Sequence, residues 1–397
     1  MNRVRVFGLI GLVGALWGLL FAVISSMDYA SHLDRSLHDL HCSFIPGVEA
    51  MGDSEGCRTA LNSPYSALFK QRLWGGIPIS LLGVGCFAFL VGHAAYIALR
   101  GAYATRAAGL LYLVLACSPA LVSVVMFSIS WFELGSVCKT CMGIYIGSAI
   151  LAVSAFGVAI GTWSNAGTIS GSGVTAAALA LAALLVWTLV PSVVYAALAP
   201  DQSELLSQCG QIKNAKEEHD ALIALPGRSP QRNGIFFEDP LCPTCKSLHQ
   251  RLSDAGVLDR LDIQLALFPL DSECNWMLDR PLHPGACQVS RAVLCAKSPG
   301  LVLDWAYENQ SALAEAGKAG VPQLTKLIRD RWGADVVRCM SDRNTTLRLN
   351  RHLHFAAGNA IAVSTPQVFI DGQRLCDEDI DIGLMYALHE LAPELLP

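Results

Sequence analysis

The chain has 397 residues, of which 53% are hydrophobic and 15% charged, and its mean hydropathy is +0.42. Soluble domains carry about 25% charged residues, so this composition excludes an ordinary soluble protein. The formal net charge of −5 gives no basis for nucleic acid as a partner. Apolar runs are concentrated in residues 1–200 and charges in residues 201–397, which predicts two parts in different solvents.

Five apolar runs in the first half are long enough to cross a bilayer, which takes about 20 helical residues. They are Val6–Ser25, Ile77–Leu99, Ala107–Phe132, Thr140–Gly161 and Val174–Ala199. The first run follows two arginines, as in a signal peptide, but it exceeds the usual length of about 7–15 residues and no small-residue cleavage site follows. We therefore expect a retained helix rather than a cleaved one.

Basic residues flank the first span and fill the short connection between the second and third spans. They are Arg3, Arg5, Arg100 and Arg106. Because basic loops favour the cytoplasmic side, the 27–76 loop and everything after residue 200 are expected outside. All cysteines except the mid-helix Cys86 and Cys117 then lie at or beyond the outer boundary, which predicts an oxidising compartment on that side.

The second half alternates short apolar segments with helical patterns after a polar stretch, Gln202–Gln231, that we interpret as a linker. The predicted elements are a strand at Gly234–Glu238, a helix through Leu252, a strand at Ile263–Leu270, a helical region at 287–359 and a strand at Val368–Ile370. Asp371-Gly372 follows as a hairpin turn. This order predicts an α/β domain with helices packed on a sheet.

A CxxC motif, Cys242-Pro243-Thr244-Cys245, lies between the first of these strands and its helix. The helix dipole and unpaired amides at a helix N-terminus favour a thiolate and lower the pKa of the first thiol from about 8.5 toward 7. Cys242 is the expected nucleophile and Cys245 the resolving thiol. The alternative is a zinc half-site completed by Cys274 and Cys287.

The segment Ser364-Thr365-Pro366 just before the last strand resembles the thioredoxin superfamily, in which a cis proline faces the CxxC motif. This resemblance implies that Pro366 is cis and that the motif binds no metal. The helical insertion before it resembles the bacterial disulfide-oxidase (DsbA-like) branch. The resemblance covers about 160 residues.

A second CxxC motif, Cys138-Lys139-Thr140-Cys141, begins the fourth span. Cys141 and Tyr145 are four residues apart and therefore share one helix face. A thiol and a phenol facing the bundle at this depth suit a quinone. The alternative for Tyr145 is an aromatic-belt anchor.

The membrane half also has a loop cysteine pair, Cys42 and Cys57, then Ser63 and the segment Gly76-Ile77-Pro78-Ile79-Ser80. With the CxxC-x3-Tyr pattern, these features resemble the vitamin K epoxide reductase family, in its bacterial form fused to a thioredoxin-like domain. The implied fold is a multi-pass α-helical membrane bundle, with a four-helix core and a fifth linking helix, followed by an α/β thioredoxin-like domain. The expected domains are 1–165 (four-helix domain), 166–200 (fifth helix), 201–232 (linker) and 233–397 (thioredoxin-like).

The resemblance implies a membrane thiol oxidoreductase that couples disulfide formation in extracytoplasmic proteins to reduction of a quinone of the ubiquinone or menaquinone type. The implied catalytic residues are Cys42, Cys57, Cys138, Cys141, Cys242 and Cys245. Ser63 and Tyr145 are expected at the quinone site, and Cys274–Cys287 is expected as a structural disulfide. The expected partners are substrate proteins with cysteine thiols and the membrane quinone. The expected location is a cell inner membrane, with the thioredoxin-like domain in the periplasm and a thylakoid lumen as the alternative.

Two departures from the family pattern bear on these expectations. Fourteen residues separate Cys42 from Cys57, more than is usual, and no asparagine lies near the start of the second span, which weakens a claim of epoxide reduction. Two other functions stay open: an outward conduit for reductant, and a non-enzymatic, membrane-anchored metal-binding module. The pairing of the remaining cysteines is also open. They are Cys209, Cys295, Cys339 and Cys376.

Overall fold

The computed structural model describes residues 2–32, 60–61, 63–133, 135, 137–165, 171–206, 208–377 and 379–396. The chain divides into two compact units, Met1–Asp201 (unit 1) and Gln202–Pro397 (unit 2). The predicted loop pair, Cys42 and Cys57, lies outside the described residues.

Unit 1 is built from long apolar helices. They are α1 (Arg3–His32), α2 (Ile79–Arg100), α3 (Arg106–Ser128, continued by a short π-helix to Glu133), α4 (Lys139–Thr162) and α5 (Gly171–Leu198). All five are long and apolar enough to cross a membrane. This result confirms the helical fold class predicted for the first half of the chain.

Small residues bring α1 and α4 close together. A Cβ atom added at Gly147 of α4 would lie 2.7 Å from the backbone nitrogen of Gly18 in α1, so neither helix has room for a larger residue there. Farther along, the Ser154 hydroxyl donates to the Phe7 carbonyl at 2.6 Å, and the Tyr112 and Ser154 hydroxyls are 3.1 Å apart. These contacts fix α4, the helix that begins at the membrane CxxC motif.

The chain enters α2 through a tight turn that only glycine can make. Two short antiparallel strands, β1 (Ala67–Leu68) and β2 (Ile77–Pro78), precede the helix. Gly76 between them has a φ of +73°, and a Cβ there would lie 2.6 Å from the Leu68 carbonyl oxygen. The Tyr29 hydroxyl of α1 donates to the neighbouring Gly75 carbonyl, which ties this turn to the bundle.

The described residues of unit 2 form one five-stranded sheet in the order β3-β5-β4-β6-β7. The strands are β3 (Ile223–Pro226), β4 (Arg232–Glu238), β5 (Leu261–Leu267), β6 (Gln367–Ile370) and β7 (Gln373–Arg374). β4 and β5 are parallel and the other neighbours antiparallel. Asp371 and Gly372 connect β6 to β7 with φ values of 47° and 84°, the left-handed geometry of the expected hairpin turn.

The described residues of unit 2 also form eight α-helices. They are α6 (Pro243–Asp254), α7 (Ala286–Cys295), α8 (Pro299–Glu308), α9 (Gln310–Ala319), α10 (Val321–Trp332), α11 (Ala334–Met340), α12 (Arg343–Gly358) and α13 (Leu384–Leu391). A parallel β4-α6-β5 unit, a helical insertion and a terminal hairpin form a thioredoxin-like fold. The predicted α/β class of the second half is therefore confirmed.

The segment interpreted as a linker, 201–232, differs from that prediction. Ile223 begins β3, which pairs with β5 at the edge of the sheet. Cys209 is disulfide-bonded to Cys376, and the Ile212 amide donates to the Gly372 carbonyl at 2.9 Å. The polar composition of the segment did not reveal that it is ordered. A short edge strand and a disulfide hold it, and neither requires a long apolar run.

Candidate active site: two dithiols

The first dithiol lies where β4 passes into α6 in unit 2. Cys242 is the N-cap residue of α6, and Pro243 occupies the first helical turn, where its missing amide hydrogen costs nothing. The Cys242 sulfur is 3.4 Å from the Thr365 carbonyl oxygen, and the Thr365–Pro366 peptide bond is cis. The loop before the helix is held by Gln310, whose side-chain amide donates to the carbonyls of Pro240 and Cys242.

Cys242 has the electrostatics of a nucleophile. A hydrogen bond from the Cys245 thiol, helped by Thr365 and the Cys245 amide, lowers the pKa of Cys242 to about 6, although burial opposes ionisation. A thiol with this pKa is mostly thiolate at neutral pH, and the thiolate is the species that attacks disulfides.

Cys245 lies deeper, with no exposed surface, and burial raises its pKa well above the ordinary value. The Glu238 carboxyl at the end of β4 is also fully buried, and desolvation raises its pKa. One Glu238 oxygen accepts a hydrogen bond from Tyr307 of α8, while the other has no partner among the described residues. The charge of this buried carboxyl also acts on Cys245 and contributes to the increase in the pKa of that thiol.

The second dithiol lies at the N-terminus of α4 in unit 1. Cys138 is the N-cap residue: its sulfur accepts from the Cys141 amide at 3.4 Å and lies 3.0 Å from the Thr140 hydroxyl. Cys138 is buried and packs against Ala60, Leu61 and Cys141. Both CxxC pairs therefore begin a helix, where partial positive charge favours a thiolate.

A cavity of about 610 Å³ opens beside Cys138 and Cys141. All five helices of unit 1 contribute to its wall, which is mainly apolar. Its polar lining includes Asp28, Tyr29, Ser63 and Tyr145. This volume lies within the range of about 300–1,000 Å³ typical of small-molecule sites. An apolar wall, two thiols and a few hydroxyl groups suit the ring of a lipid-soluble quinone, so the residues present fit that group.

Ser63 and Tyr145, the residues expected at a quinone site, both line this cavity. Ser63 is buried and its hydroxyl donates to the Ala60 carbonyl at 2.8 Å, while its carbonyl accepts from the Lys70 ammonium at 2.6 Å. The Tyr145 ring packs edge-on against Phe127 at 6.0 Å. The structure therefore brings Ser63, Tyr145, Cys138 and Cys141 together. Their roles stay predictions.

Six of the eight cysteines in unit 2 form disulfides. The pairs are Cys209–Cys376, Cys274–Cys287 and Cys295–Cys339. Cys242 and Cys245 are the two that remain as thiols. Because Cys274 and Cys287 are bonded to each other, they do not offer thiolates to complete a zinc site with the CxxC motif. No group of three or more potential metal-ligating side chains occurs among the described residues.

Sequence reasoning missed several polar neighbours of the dithiol in unit 2. Asp239 and Glu238 end an apolar strand, where two buried carboxyls are unusual, and that signal could have been used. His283 and Tyr307 contact these carboxyls from 44 and 69 residues away in sequence, and no local pattern marks them.

The fold and the paired CxxC motifs define a membrane-helix protein of the thiol–disulfide exchange class. Residues 9–156 match the vitamin K epoxide reductase family. This match confirms the resemblance of the first half of the chain to that family, and unit 2, which follows it, has the predicted thioredoxin-like fold.

A known protein, the probable thiol:disulfide interchange protein DsbC of Bordetella avium (strain 197N), is 32% identical over 108 residues, which are 27% of this chain and 34% of that protein. The chain thus spans about a third of this relative's length. Two solved structures are also similar. Reduced DsbA1 from Neisseria meningitidis has 18% identity and a TM-score of 0.31, and the match covers 45% of this chain and 94% of the DsbA1 chain. MdbA, a thiol-disulfide oxidoreductase from Corynebacterium matruchotii, has 13% identity and a TM-score of 0.32, and the match covers 49% of this chain and 98% of the MdbA chain.

Proposed function

We propose that this protein is a membrane thiol oxidoreductase that forms disulfides in extracytoplasmic proteins and passes the electrons to a quinone of the ubiquinone or menaquinone type. The observation that carries the proposal is the position of Cys138 and Cys141 at a helix N-terminus, beside an apolar cavity of about 610 Å³ that Tyr145 also lines. The thiolate-favouring site of Cys242 in unit 2 supplies the second half of the argument.

The first step is oxidation of a client protein. A thiolate of the client attacks the Cys242–Cys245 disulfide at Cys242, forms a mixed disulfide and releases Cys245. A second client thiolate then attacks the mixed disulfide, so the client gains a disulfide and Cys242 leaves as a thiolate. Glu238 is placed to supply the proton that Cys245 takes up when it is released.

The remaining steps carry two electrons to the membrane dithiol. Cys242 attacks the Cys42–Cys57 disulfide at Cys42, and Cys245 resolves the mixed disulfide. Cys57 then attacks a Cys138–Cys141 disulfide at Cys138 and releases Cys141, after which Cys42 restores the loop disulfide. Each exchange breaks one S–S bond and forms another. A bound quinone supplies the terminal acceptor for two electrons and two protons, while Ser63 and Tyr145 orient it and the apolar wall excludes water.

The relay requires that Cys42 and Cys242 face the same aqueous compartment. The basic residues around the first three spans favour an extracytoplasmic location for both. Three disulfides within unit 2 also suit an oxidising space. A bacterial inner membrane with unit 2 in the periplasm is the location that fits these features.

The test uses the full-length protein in detergent, a reduced peptide with two cysteines and a short-tailed ubiquinone. Loss of quinone absorbance should require both peptide and protein. Cys141→Ala should abolish quinone reduction, and Cys57→Ala should leave unit 2 reduced and the quinone oxidised. Cys117→Ala, which removes a cysteine within α3, should retain activity and serves as the matched control. Full activity of Cys138→Ala would contradict the relay.

A further inference from the structure

A carboxylate–histidine pair lies close in sequence to the nucleophilic cysteine of unit 2, at Asp239 and His283. The Asp239 carboxylate, three residues before Cys242, is fully buried, and its Oδ2 atom is 2.7 Å from Nδ1 of His283. The same carboxylate accepts hydrogen bonds from the amides of Leu241 and Leu270, each at 2.8 Å. Several N–H donors stabilise the negative charge of a buried carboxylate.

The charge on Asp239 opposes a thiolate on Cys242, and its repulsion is one of the influences that raise the pKa of Cys242. The Cys242 amide also donates to the Asp239 carbonyl at 3.0 Å, so the spacing between the two residues is fixed. A nearby like charge disfavours ionisation of a buried thiol. A counter-charge for Asp239 therefore favours the thiolate of Cys242.

His283 is held where that counter-charge is needed. Its amide donates to the Leu270 carbonyl at 3.0 Å, and Asp271 anchors the same loop by accepting from the Gly285 amide at 2.9 Å. The Cys274–Cys287 disulfide closes the loop around His283.

The charges around His283 favour its protonated form. Burial opposes protonation, but the hydrogen bond and charge of Asp239, together with Cys242 and Asp271, raise the pKa of His283 above its ordinary value. Its side chain is 22% exposed, so it can exchange protons with solvent.

We propose that His283 is a positioning residue that neutralises the buried Asp239 carboxylate and thereby keeps the Cys242 sulfur available as a nucleophile. The loop 274–287, which its disulfide closes, places this histidine against Asp239. The two residues between the cysteines of the CxxC motif, Pro243 and Thr244, carry no charge. The inference rests on the proposed role of Cys242 but not on quinone reduction. Loss of His283 leaves Asp239 uncompensated and disfavours the thiolate, which also makes the Cys242–Cys245 disulfide less oxidising.

The test measures the rate of iodoacetamide alkylation of Cys242 against pH, by peptide mass spectrometry on the reduced full-length protein. Reduction is carried out with a mild reductant that spares Cys274–Cys287, which the peptide map verifies. His283→Asn keeps a hydrogen-bond donor near the Nδ1 position but removes the positive charge. It should move the alkylation profile to higher pH and slow alkylation at pH 6 by roughly three- to tenfold, as expected for the loss of a nearby opposite charge. His389→Asn, on an exposed part of α13, is the matched control and should leave the profile unchanged.

A double-variant cycle separates charge from structure. Asp239→Asn combined with His283→Asn removes both charges and should return the Cys242 profile close to that of the native protein. An unshifted profile in His283→Asn would overturn the proposal, as would a double variant shifted as far as the single one. If the native protein alkylates as expected but does not reduce quinone, the proposed function fails while the role of His283 stands.

Discussion

The hydroxyl of Tyr307 donates a 2.9 Å hydrogen bond to Oε2 of Glu238, a carboxyl with almost no exposed surface at the end of β4. Both side chains are buried, and the charge of Glu238 also acts on Cys245. Because a hydrogen bond to the charged form favours that form, Tyr307 moderates the increase that burial produces in the pKa of Glu238.

Tyr307→Phe should therefore raise the pKa of Glu238 further and change proton exchange with Cys245. We expect the carboxyl-dependent limb of the pH–rate profile for peptide oxidation to move to higher pH. Glu238→Gln should remove that limb, since the amide does not titrate. An identical pH–rate profile in the native protein and Tyr307→Phe would show that this hydrogen bond has no role in exchange.

Tyr145→Phe tests the cavity in unit 1. If the phenol donates a hydrogen bond to the quinone, its loss should cost about 1 kcal/mol and raise the KM for quinone about fivefold. The measurement is a quinone titration at saturating reduced peptide. Tyr103→Phe, an exposed tyrosine between α2 and α3, is the control and should leave the KM unchanged. An unchanged KM in Tyr145→Phe would favour the membrane-anchor interpretation of this residue.

The Cys209–Cys376 disulfide should stabilise the edge of the sheet in unit 2. The bond spans 167 residues of chain, and removal of a native disulfide from a domain costs about 2–4 kcal/mol. Replacing both cysteines with alanine should lower the thermal midpoint of unit 2, followed by the fluorescence of its tryptophans. Peptide oxidation should persist at a temperature below that midpoint, because the proposed exchange uses Cys242 and Cys245 and not this bond. Equal midpoints with and without the disulfide would contradict this account.

His352 should make unit 2 sensitive to mild acid. Its Nδ1 accepts from the Leu267 amide at 2.9 Å and its Nε2 lies 2.7 Å from the Ala221 carbonyl, so the neutral ring satisfies both. Burial lowers the pKa of His352 from 6.5 to about 4. A folded-state pKa below the unfolded value means that stability is fully present above about pH 6.5 and is lost as the pH falls toward 4.

The loss from this one residue is of the order of 3 kcal/mol across that interval. The measurement is the free energy of unfolding of unit 2 between pH 4 and 7. His352→Gln should flatten the dependence, even though it lowers stability at pH 7. The exposed His389→Gln is the control and should retain the native slope. A native slope in His352→Gln would rule out this assignment.

The parts of the structure that were predictable from sequence are those with local patterns. The long apolar runs identified the five helices. An apolar strand that ends shortly before Cys242 identified the β4–α6 junction. Short-range turn chemistry located the hairpin at Asp371-Gly372.

The remaining features depend on the sheet, which brings distant segments together. Strand β3 is four residues long and lies in a polar stretch, so periodicity did not mark it. The contacts of His283 with Asp239 and of Tyr307 with Glu238 join residues far apart in sequence. Only packing in three dimensions creates them.

Unit 2 contains three disulfides, which are the kind of bond that the protein is proposed to form in other proteins. A newly synthesised copy has eight thiols in this unit, and six of them pair in the mature protein; Cys274 and Cys287 form the bond that closes the loop bearing His283. If the proposed activity is correct, mature copies can oxidise immature ones. Activity in a cell that lacks other oxidants would then accumulate autocatalytically, with a lag that shortens when a small amount of finished enzyme is already present.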